Sequence, residues 1–585
     1  MENTSLNELS AILSFEFASS NGEIQPLTFR NPIQLIMATK VEEILPCIEQ
    51  IQNAVQKGYY AAGFLTYESA PAFDAAYKVR EGQTMPLLWF GIFSEPLKES
   101  LASSGTYHVD KWEPTVSIDE YHSAIKSIKQ SIEQGDTFQT NYTIRLKSTF
   151  KGDDLALFQK LKRAQSSNYC AYINTGEHSI LSASPELFFH IEDDEITTRP
   201  MKGTVLRGKT VAEDEDNASW LYHSEKNRSE NVMIVDLLRN DLGRIAELGS
   251  VEVTKLFEIE HYPTVHQMTS TIKAKISQNT SYFDIFKALF PCGSITGAPK
   301  ISTMDIIAQV ENTPREVYCG AIGYFTPNGE AVFNVPIRTV VIDQQTGEAT
   351  YGVGGGITWD STADGEYHEV LAKASFLERD VPQFQLLESI LLTDGEFFLL
   401  EEHLNRLSKS AKYFGFPFNI EKVQSALLGI AREHKINEYK IRLLLNKTGA
   451  FTIEANQLKT MMSPMTVTLA DKPINKENLF LYHKTTHRKM YEEYQDKFKD
   501  YFDILLWNEN EDLTEFTNGN VVLEIEGTLW TPPIQSGLLS GTYREALIRE
   551  GRVKEKILTL ADLERCTSIW LINSVRKWVP VQLAK

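Results

Sequence analysis

The apolar positions of this chain follow two periods. Short runs rich in β-branched and aromatic residues, bounded by turn formers, predict strands. They include GYYAAGFLTY (58–67), PLLWFGIF (86–93), TNYTIRLKSTF (140–150), YCAYINT (169–175) and LFFHIED (187–193). Elsewhere apolar residues recur every three or four positions, the helical period. This holds in YHSAIKSIKQSIEQGD (121–136), EKNRSENVMIVDLLRNDLGRIAE (225–247) and GEYHEVLAKASFLERD (365–380). A glycine-rich strand and turn, ATYGVGGGITW, covers 349–359. After Val381-Pro382-Gln383 the pattern starts afresh: LLESILLTDGEFFLLEEHLNRLSKSAKYFGF (386–416) reads as strand, Asp-Gly hairpin turn, strand and helix. The fold class expected is α+β. Three segments are expected: an associated subdomain over 1–112, a domain over 113–380 and a separate α+β unit over 386–585.

Composition narrows the function. With 585 residues the chain is long enough for two to four domains, and 42% apolar with 23% charged residues is ordinary globular composition. Fifty-eight Lys and Arg against 78 Asp and Glu give a net charge of −20. Such a surface repels polyanions, so no nucleic-acid or anionic-lipid partner is expected, and a small anionic substrate needs a local basic pocket. The five cysteines (Cys47, Cys170, Cys292, Cys319, Cys566) are widely spaced and odd in number, which reads as reduced thiols of a cytoplasmic protein. MENTSLNELSAILSFEF lacks a basic start followed by an apolar run, so no secretory leader is expected, and no stretch of 18 apolar residues suggests a membrane span.

Two places carry candidate chemistry. In SASPELFFHIEDDEITTRPMKGTVLRG (182–208), two strands joined by an acidic turn bring Glu186 towards Lys202. A lysine between Met201 and Gly203 in a dry site has a lowered pKa and a nucleophilic amine; in solvent it is an ordinary strand-end lysine. Glu366 and Glu369 share a helix face, and with Glu230 on the long helix they offer oxygen ligands for Mg²⁺, or simply solvated helix faces. Gly354, Gly355 and Gly356 can present backbone amides to a carboxylate, and Arg338, in an apolar strand, calls for an anionic partner. In the last 200 residues, Lys484 lies at a strand-to-helix change and Glu515 at a turn. SGLLSGTYRE (536–545) runs from a Gly/Ser/Thr-rich turn into a helix. A pyridoxal cofactor needs an amine for its aldehyde, a carboxylate for its ring nitrogen and a phosphate cup. Lys484, Glu515, and Arg406 with Ser540, Gly541 and Thr542 can supply them.

As a set, SASPELF, RPMKGT, EKNRSENVMIVDLLRNDLGR, YPTVHQMTSTI, PCGSITGAPK, VYCGAIGYF, VPIRTVV and GVGGGITWDS…GEYHEVLAKA resemble the chorismate-utilising family. It includes anthranilate synthase large subunits, aminodeoxychorismate synthase component I and isochorismate synthases. The resemblance spans 117–380 and implies an anthranilate-synthase-like two-sheet α/β sandwich. It implies Glu186 as acid/base, Glu230 and Glu369 as Mg²⁺ ligands with Glu366 in support, and a chorismate pocket lined by His266, Thr296, Tyr318, Arg338 and Gly354–Gly356. Asn231 departs from relatives that often have His after the metal-binding glutamate. Lys202 in PMKGT is similar to aminodeoxychorismate synthases, where anthranilate synthases have Ala. There its amine attacks C2 of chorismate and expels the C4 hydroxyl, and ammonia then attacks C4. Gln139 in GDTFQTNYTIR stands where isochorismate synthases carry a water-activating lysine. A glutamine cannot take a proton from water, which favours a nitrogen nucleophile.

LLTDGEFFLLEEHLNRL, YKIRLLLNKTGAF, HKTTHRKMYE, LTEFTNGNVV, SGLLSGTYRE and LINSVRKWVPV resemble the class IV pyridoxal-phosphate family, with its two-subdomain fold like that of D-amino-acid aminotransferase. KTTHRKMYE and NSVRKW are more like its 4-amino-4-deoxychorismate lyase branch. This implies Lys484 on the cofactor, Glu515 at the ring nitrogen and Ser574 at the phosphate, with Arg488 and Arg576 for substrate carboxylates. Together the two resemblances imply amination of chorismate followed by elimination of pyruvate to give 4-aminobenzoate for folate. Ammonia is expected from a separate glutamine amidotransferase subunit, and a homodimer can form through the second domain. The competing expectations are an anthranilate-type synthase fused to a class IV aminotransferase, and a regulatory or scaffolding protein with an inactive second site.

Overall fold

The computed structural model describes residues 11–19, 22–277, 279–379, 382–459 and 465–584. The chain divides into two compact units, one of Met1–Arg207 with Asn217–Val381, the other of Gly208–Asp216 with Pro382–Lys585. The stretch Gly208–Asp216 thus counts with the second unit, outside the continuous 386–585 segment read from the sequence.

The first unit is built on two ten-stranded sheets; beside the strand orders that follow, Tyr107–Val109 and Glu113–Pro114 pair with Gln139–Gly152 in one, and Glu252–His261 with Val265–Lys275 in the other. One runs Gly297–Ala298, Gln139–Gly152, Glu348–Ile357, Thr339–Asp343, His178–Ser184, Tyr169–Asn174, Ile12–Ala18, Ile24–Arg30. The other runs Met201–Leu206, Val265–Lys275, Glu195–Arg199, Leu187–Glu192, Ala331–Asn334, Ala321–Phe325, Tyr60–Leu65, Leu88–Phe93, Gln34–Ala38. Strands from before residue 112 are integral to both sheets: Ile12–Ala18 pairs with Tyr169–Asn174, and Tyr60–Leu65 with Ala321–Phe325. No break in either sheet coincides with residue 112.

Inward residues of both sheets meet in an aromatic core of Phe15, Phe17, Phe64, Trp89, Tyr169 and Tyr324. Each fully buried ring contributes about 2–3 kcal/mol. Helices cover the outer faces. Ile44–Gln56, Glu225–Gly243 and Tyr282–Leu289 pack on one sheet. Ile118–Glu133, Asp154–Gln165 and Ala363–Ala374 pack on the other. The first of these begins at a capping box in which Ser117 and Glu120 satisfy each other's backbone amides. This layering is the two-sheet α/β sandwich expected from the sequence.

The second unit has two sheets with separate cores. A four-stranded sheet (Glu396–Phe397, Leu386–Thr393, Glu438–Leu445, Phe451–Gln457) packs on helices Leu400–Phe414 and Ile420–Glu433. An eight-stranded mixed sheet carries the rest. The Asp-Gly hairpin read from the sequence has Asp394 and Gly395 at φ of 50° and 82°. Both are left-handed, as a two-residue turn between right-twisted strands requires.

Candidate active sites

The first site lies at one end of the first unit's sheets. Glu186 and Lys202 flank the hairpin of strands Leu187–Glu192 and Glu195–Arg199, whose register opposes Leu187 to Arg199. Asp193 and Asp194 turn it at φ of 51° and 63°. Lys202 sits where the Met201–Leu206 strand slips register against Val265–Lys275. Its pKa is lowered, chiefly by burial; Glu230, Glu186 and Glu369 oppose the shift and Lys373 adds to it. A lowered pKa frees the amine lone pair for attack.

The glycine run leaves room for this amine. A Cβ on Gly356 would lie 2.1 Å from Nε2 of Gln139 and 2.8 Å from Nζ of Lys202. Gln139 is buried and its Oε1 has no hydrogen-bond partner among the described residues, so the amide has an acceptor to offer a ligand. On the opposite face of the same strand, a Cβ on Gly355 would meet Glu366 Oε2 at 3.2 Å, Lys373 Nζ at 3.5 Å and Glu369 Oε1 at 3.8 Å. At Gly354 it would strike the Tyr142 carbonyl at 2.1 Å.

Glu186 is buried and accepts a hydrogen bond from Ser294 Oγ at 2.6 Å. Burial pushes its pKa up to about 7, against the pull of Ser294 and Lys202. It therefore holds a proton near neutrality, as a general acid must. Asn231 donates towards the Lys202 carbonyl at 3.5 Å and accepts from Ser270 at 2.6 Å, tying the long helix to the strand that carries the amine.

Among the described residues, the carboxylates of Glu230, Glu366 and Glu369 do not converge within 4.8 Å of one another as a closed metal set. Lys373 Nζ is 2.6 Å from Glu369 Oε1 and donates to the Gly354 carbonyl. Burial raises the Glu369 pKa, but Lys373, with Lys202 and Lys226, more than offsets it and the net shift is downward. Glu366 accepts from Ser361 Oγ at 2.6 Å, and burial raises its pKa. The donors are all carboxylate oxygens, the set Mg²⁺ takes, and the Lys373 ammonium places positive charge where Glu369 would meet a cation.

Four expected pocket residues have other partners. Arg338 precedes its strand, at φ 54°, donates to the Lys373 carbonyl and lies over the Phe376 ring. Thr296 Oγ1 bonds the Cys292 and Gly293 carbonyls of its own turn. His266 is fully buried with Nδ1 2.8 Å from His261 Nδ1. The Tyr318 ring fills the space beside Gly352 and lies 5.2 Å from the Arg145 guanidinium.

In the second unit, Lys484 follows buried His483, and its carbonyl accepts from Leu387 N at 3.0 Å. Burial and Arg406 lower its pKa to about 7, against Glu388 and Glu515. Glu515 is buried and accepts from Tyr491 Oη at 2.7 Å, Leu539 N at 3.2 Å and Asn520 Nδ2 at 3.4 Å. Burial raises its pKa to about 7. Arg406 donates to both oxygens of Glu388, at 2.9 and 2.7 Å, and to the Ser540 carbonyl at 3.0 Å. Gly541 caps the helix Thr542–Arg549, and Ser540 Oγ donates to Glu545. Ser574 Oγ donates to the Ser389 carbonyl. An amine near neutrality, a buried carboxyl and an arginine beside a helix start fit the three demands of pyridoxal phosphate.

Arg488 donates to the Thr517 carbonyl and lies over Tyr491, and Arg576 donates to the Lys459 carbonyl. Both act on Lys440, whose pKa falls through burial and the charges of Arg442, Arg488 and Arg576. Sequence reading missed Lys440, Ser294, Glu388 and His403. The signal for Glu388 is a carboxylate inside the apolar run LLESILL; that for His403 is its place three residues before Arg406 on one helix face.

Comparison with known proteins places the first unit. Residues 97–379 match the family of chorismate binding enzymes. Over 340 residues the chain is 34% identical to anthranilate synthase component 1 of Methanothermobacter marburgensis, covering 54% of this chain and 73% of that protein. The chain belongs to the chorismate-binding enzymes. In this chorismate-binding enzyme, residues 385–584 further match the amino-transferase class IV family. It is 39% identical over 264 residues to aminodeoxychorismate synthase component 1 of Salmonella typhimurium, covering 45% of this chain and 58% of that one. It is 40% identical over 261 residues to the protein of that name from Bacillus subtilis, covering 45% and 55%. The chain thus spans somewhat over half the length of these two curated relatives. Among solved structures, anthranilate synthase component I from Streptococcus pneumoniae superposes with a TM-score of 0.52 at 24% identity, over 65% of this chain and 94% of that one, a likeness of fold.

Proposed function

We propose that the chain makes 4-aminobenzoate from chorismate in two steps, one in each unit. The observation that carries this reading is Lys202, a half-buried lysine of lowered pKa standing with Gln139 over Gly356. In the first step the Lys202 amine attacks C2 of chorismate. Glu186, protonated near neutrality, gives its proton to the departing C4 oxygen. Ammonia then attacks C4, the lysine leaves, and the product is 4-amino-4-deoxychorismate. Gln139 cannot deprotonate water, so a nitrogen nucleophile prevails. Glu230, Glu366 and Glu369 would hold Mg²⁺, which neutralises a carboxylate of the dianionic substrate.

In the second step 4-amino-4-deoxychorismate loses pyruvate and its ring becomes aromatic. Lys484, Glu515, Arg406, Ser540, Gly541, Thr542 and Ser574 would hold pyridoxal phosphate, which supplies an aldehyde for the substrate amine and an electron sink. The Lys484 amine, poised near pH 7, moves the proton between the amine-bearing carbon and the departing enolpyruvyl group. Glu515 would keep the ring nitrogen protonated, and Arg488, Arg576 and Lys440 form a cationic wall for the substrate carboxylates.

Ammonia would come from a separate glutamine amidotransferase subunit; the relatives' names, which specify a component 1, support this. No helix among the described residues is long and apolar enough to cross a membrane, which is consistent with the cytoplasmic setting we propose. We also propose pairing of two chains through the second unit. The test is incubation of the chain with chorismate, ammonium, Mg²⁺ and pyridoxal phosphate, then identification of the aromatic product. 4-Aminobenzoate with one pyruvate supports the reading; anthranilate overturns it. Anthranilate would favour the reading suggested by the Methanothermobacter relative, a synthase of that type fused to an aminotransferase.

A further inference from the structure

A buried carboxylate in the second unit organises residues that the pyridoxal-phosphate reading assigns to the phosphate. Glu388 is 1% exposed and His403 is fully buried. Glu388 Oε2 lies 2.6 Å from Nδ1 of His403, and the same carboxylate takes two hydrogen bonds from Arg406. His403 Nε2 lies 3.2 Å from Oγ1 of Thr542, which is itself buried. One carboxylate thus fixes an arginine directly and a threonine hydroxyl through an imidazole.

We propose that Glu388 and His403 are positioning residues for the cofactor phosphate, and that His403 takes up a proton when the phosphate binds. The inference rests on the pyridoxal-phosphate reading of this site. The hydrogen-bond directions make the argument. Glu388 is an acceptor only, so His403 Nδ1 carries a hydrogen. If the imidazole is neutral, Nε2 is an acceptor, and the single Thr542 hydrogen points at it. The hydroxyl then has only lone pairs for a phosphate dianion, which has only lone pairs itself. A proton on Nε2 reverses this: His403 donates to Thr542, and Thr542 donates to the phosphate. Without a ligand, burial holds the His403 pKa below its ordinary value, against the pull of Glu388, with Arg406 and Lys484 adding to the lowering. A dianion beside Arg406 and Thr542 supplies the missing counter-charge.

The experiment is calorimetric titration of the cofactor-free full chain near pH 7, in two buffers of different ionisation enthalpy. Pyridoxal phosphate is the ligand and pyridoxal the phosphate-free control. Both join the Lys484 amine, so the difference in proton uptake between them isolates the phosphate. We expect a difference of about one proton in the native chain. In His403→Asn the difference vanishes and affinity for pyridoxal phosphate, but not pyridoxal, falls about tenfold, the scale of one hydrogen bond to a charged group. Should His403→Asn fail to fold, Thr542→Ser should keep the native difference and Thr542→Val should lose it. Bound cofactor with an unchanged difference in His403→Asn or Thr542→Val overturns the relay alone. Absence of any binding of pyridoxal phosphate to the native chain overturns the cofactor reading and the relay with it.

Discussion

The hydroxyl of Ser294 donates to Oε1 of Glu186 at 2.6 Å, and Cys292 Sγ stands 3.2 Å behind that hydroxyl. The hydrogen bond stabilises the ionised carboxylate, while burial stabilises the protonated one and wins, leaving the pKa at about 7. In the proposed role of proton donor to the C4 oxygen, Glu186 would have to be protonated. On that reading the rate should show an alkaline limb that falls as pH rises through about 7, while protonation of the Lys202 amine and of ammonia sets the acid limb. Ser294→Ala removes a stabiliser of the charged form, so the alkaline limb should move to higher pH. Glu186→Gln should cost roughly 10²–10⁴-fold in rate. Initial rates of chorismate consumption across pH check all three; a limb that stays put in Ser294→Ala would show that Glu186 does not set it.

Gly356 offers a sharper steric test. Any Cβ there would overlap the Gln139 amide and press on the Lys202 amine. Gly356→Ala should abolish amination while the second unit still converts added 4-amino-4-deoxychorismate. Lys202→Ala should cut or divert amination without steric crowding. Native rate and product in Lys202→Ala would exclude covalent catalysis there.

Much of this was legible in the sequence because it rests on local chemistry. The helix Glu225–Gly243 follows its apolar period, and the Asp394-Gly395 turn its residue types. The motif around Lys202 marked a lysine that the fold sets, with Gln139, close to Gly356. Long-range pairing was not legible. That Ile12–Ala18 adds to a sheet with Tyr169–Asn174 is a contact across some 150 positions, and nothing in either run names its partner. Arg338 shows the same limit: an arginine in an apolar run signals a need for an acceptor, but not that the acceptor is the Lys373 carbonyl.

Chelation separates the two steps. Carboxylates from two helices would carry the metal, and Lys373 pairs with Glu369 in the structure described. EDTA should stop chorismate amination and leave pyruvate release from added 4-amino-4-deoxychorismate intact, with Mg²⁺ restoring the first. Amination that survives exhaustive chelation removes the metal assignment of Glu230, Glu366 and Glu369.

Glu388 makes acid stability a reporter of the second unit. Burial raises its pKa, but Arg406 and His403 outweigh it and hold the group at about 2. An unfolded glutamate titrates near 4.3, so the folded state gains stability from this group above that pH. The gain, roughly 2–4 kcal/mol, is lost as pH falls through the interval towards 2. Denaturant midpoints for the native chain should decline over that interval. In Glu388→Gln the second unit should start less stable and show a shallower acid decline. An equally steep decline in the variant would assign the acid sensitivity to other carboxylates.

If Lys484 carries the cofactor as proposed, its amine sets the pH at which the cofactor is captured. Only the unprotonated amine attacks an aldehyde, and burial with Arg406 brings its pKa to about 7 instead of the ordinary lysine range. Capture of pyridoxal phosphate should be near its plateau above pH 7 and slow about tenfold for each unit below it. An exposed lysine would still be climbing at pH 9. Lys484→Ala should give no cofactor absorbance band distinct from free pyridoxal phosphate and no pyruvate release, yet aminate chorismate at the native rate, so that 4-amino-4-deoxychorismate accumulates. Stopped-flow absorbance across pH and product analysis of the variant read the two arms separately. A variant that still forms 4-aminobenzoate would place the second chemistry on another amine.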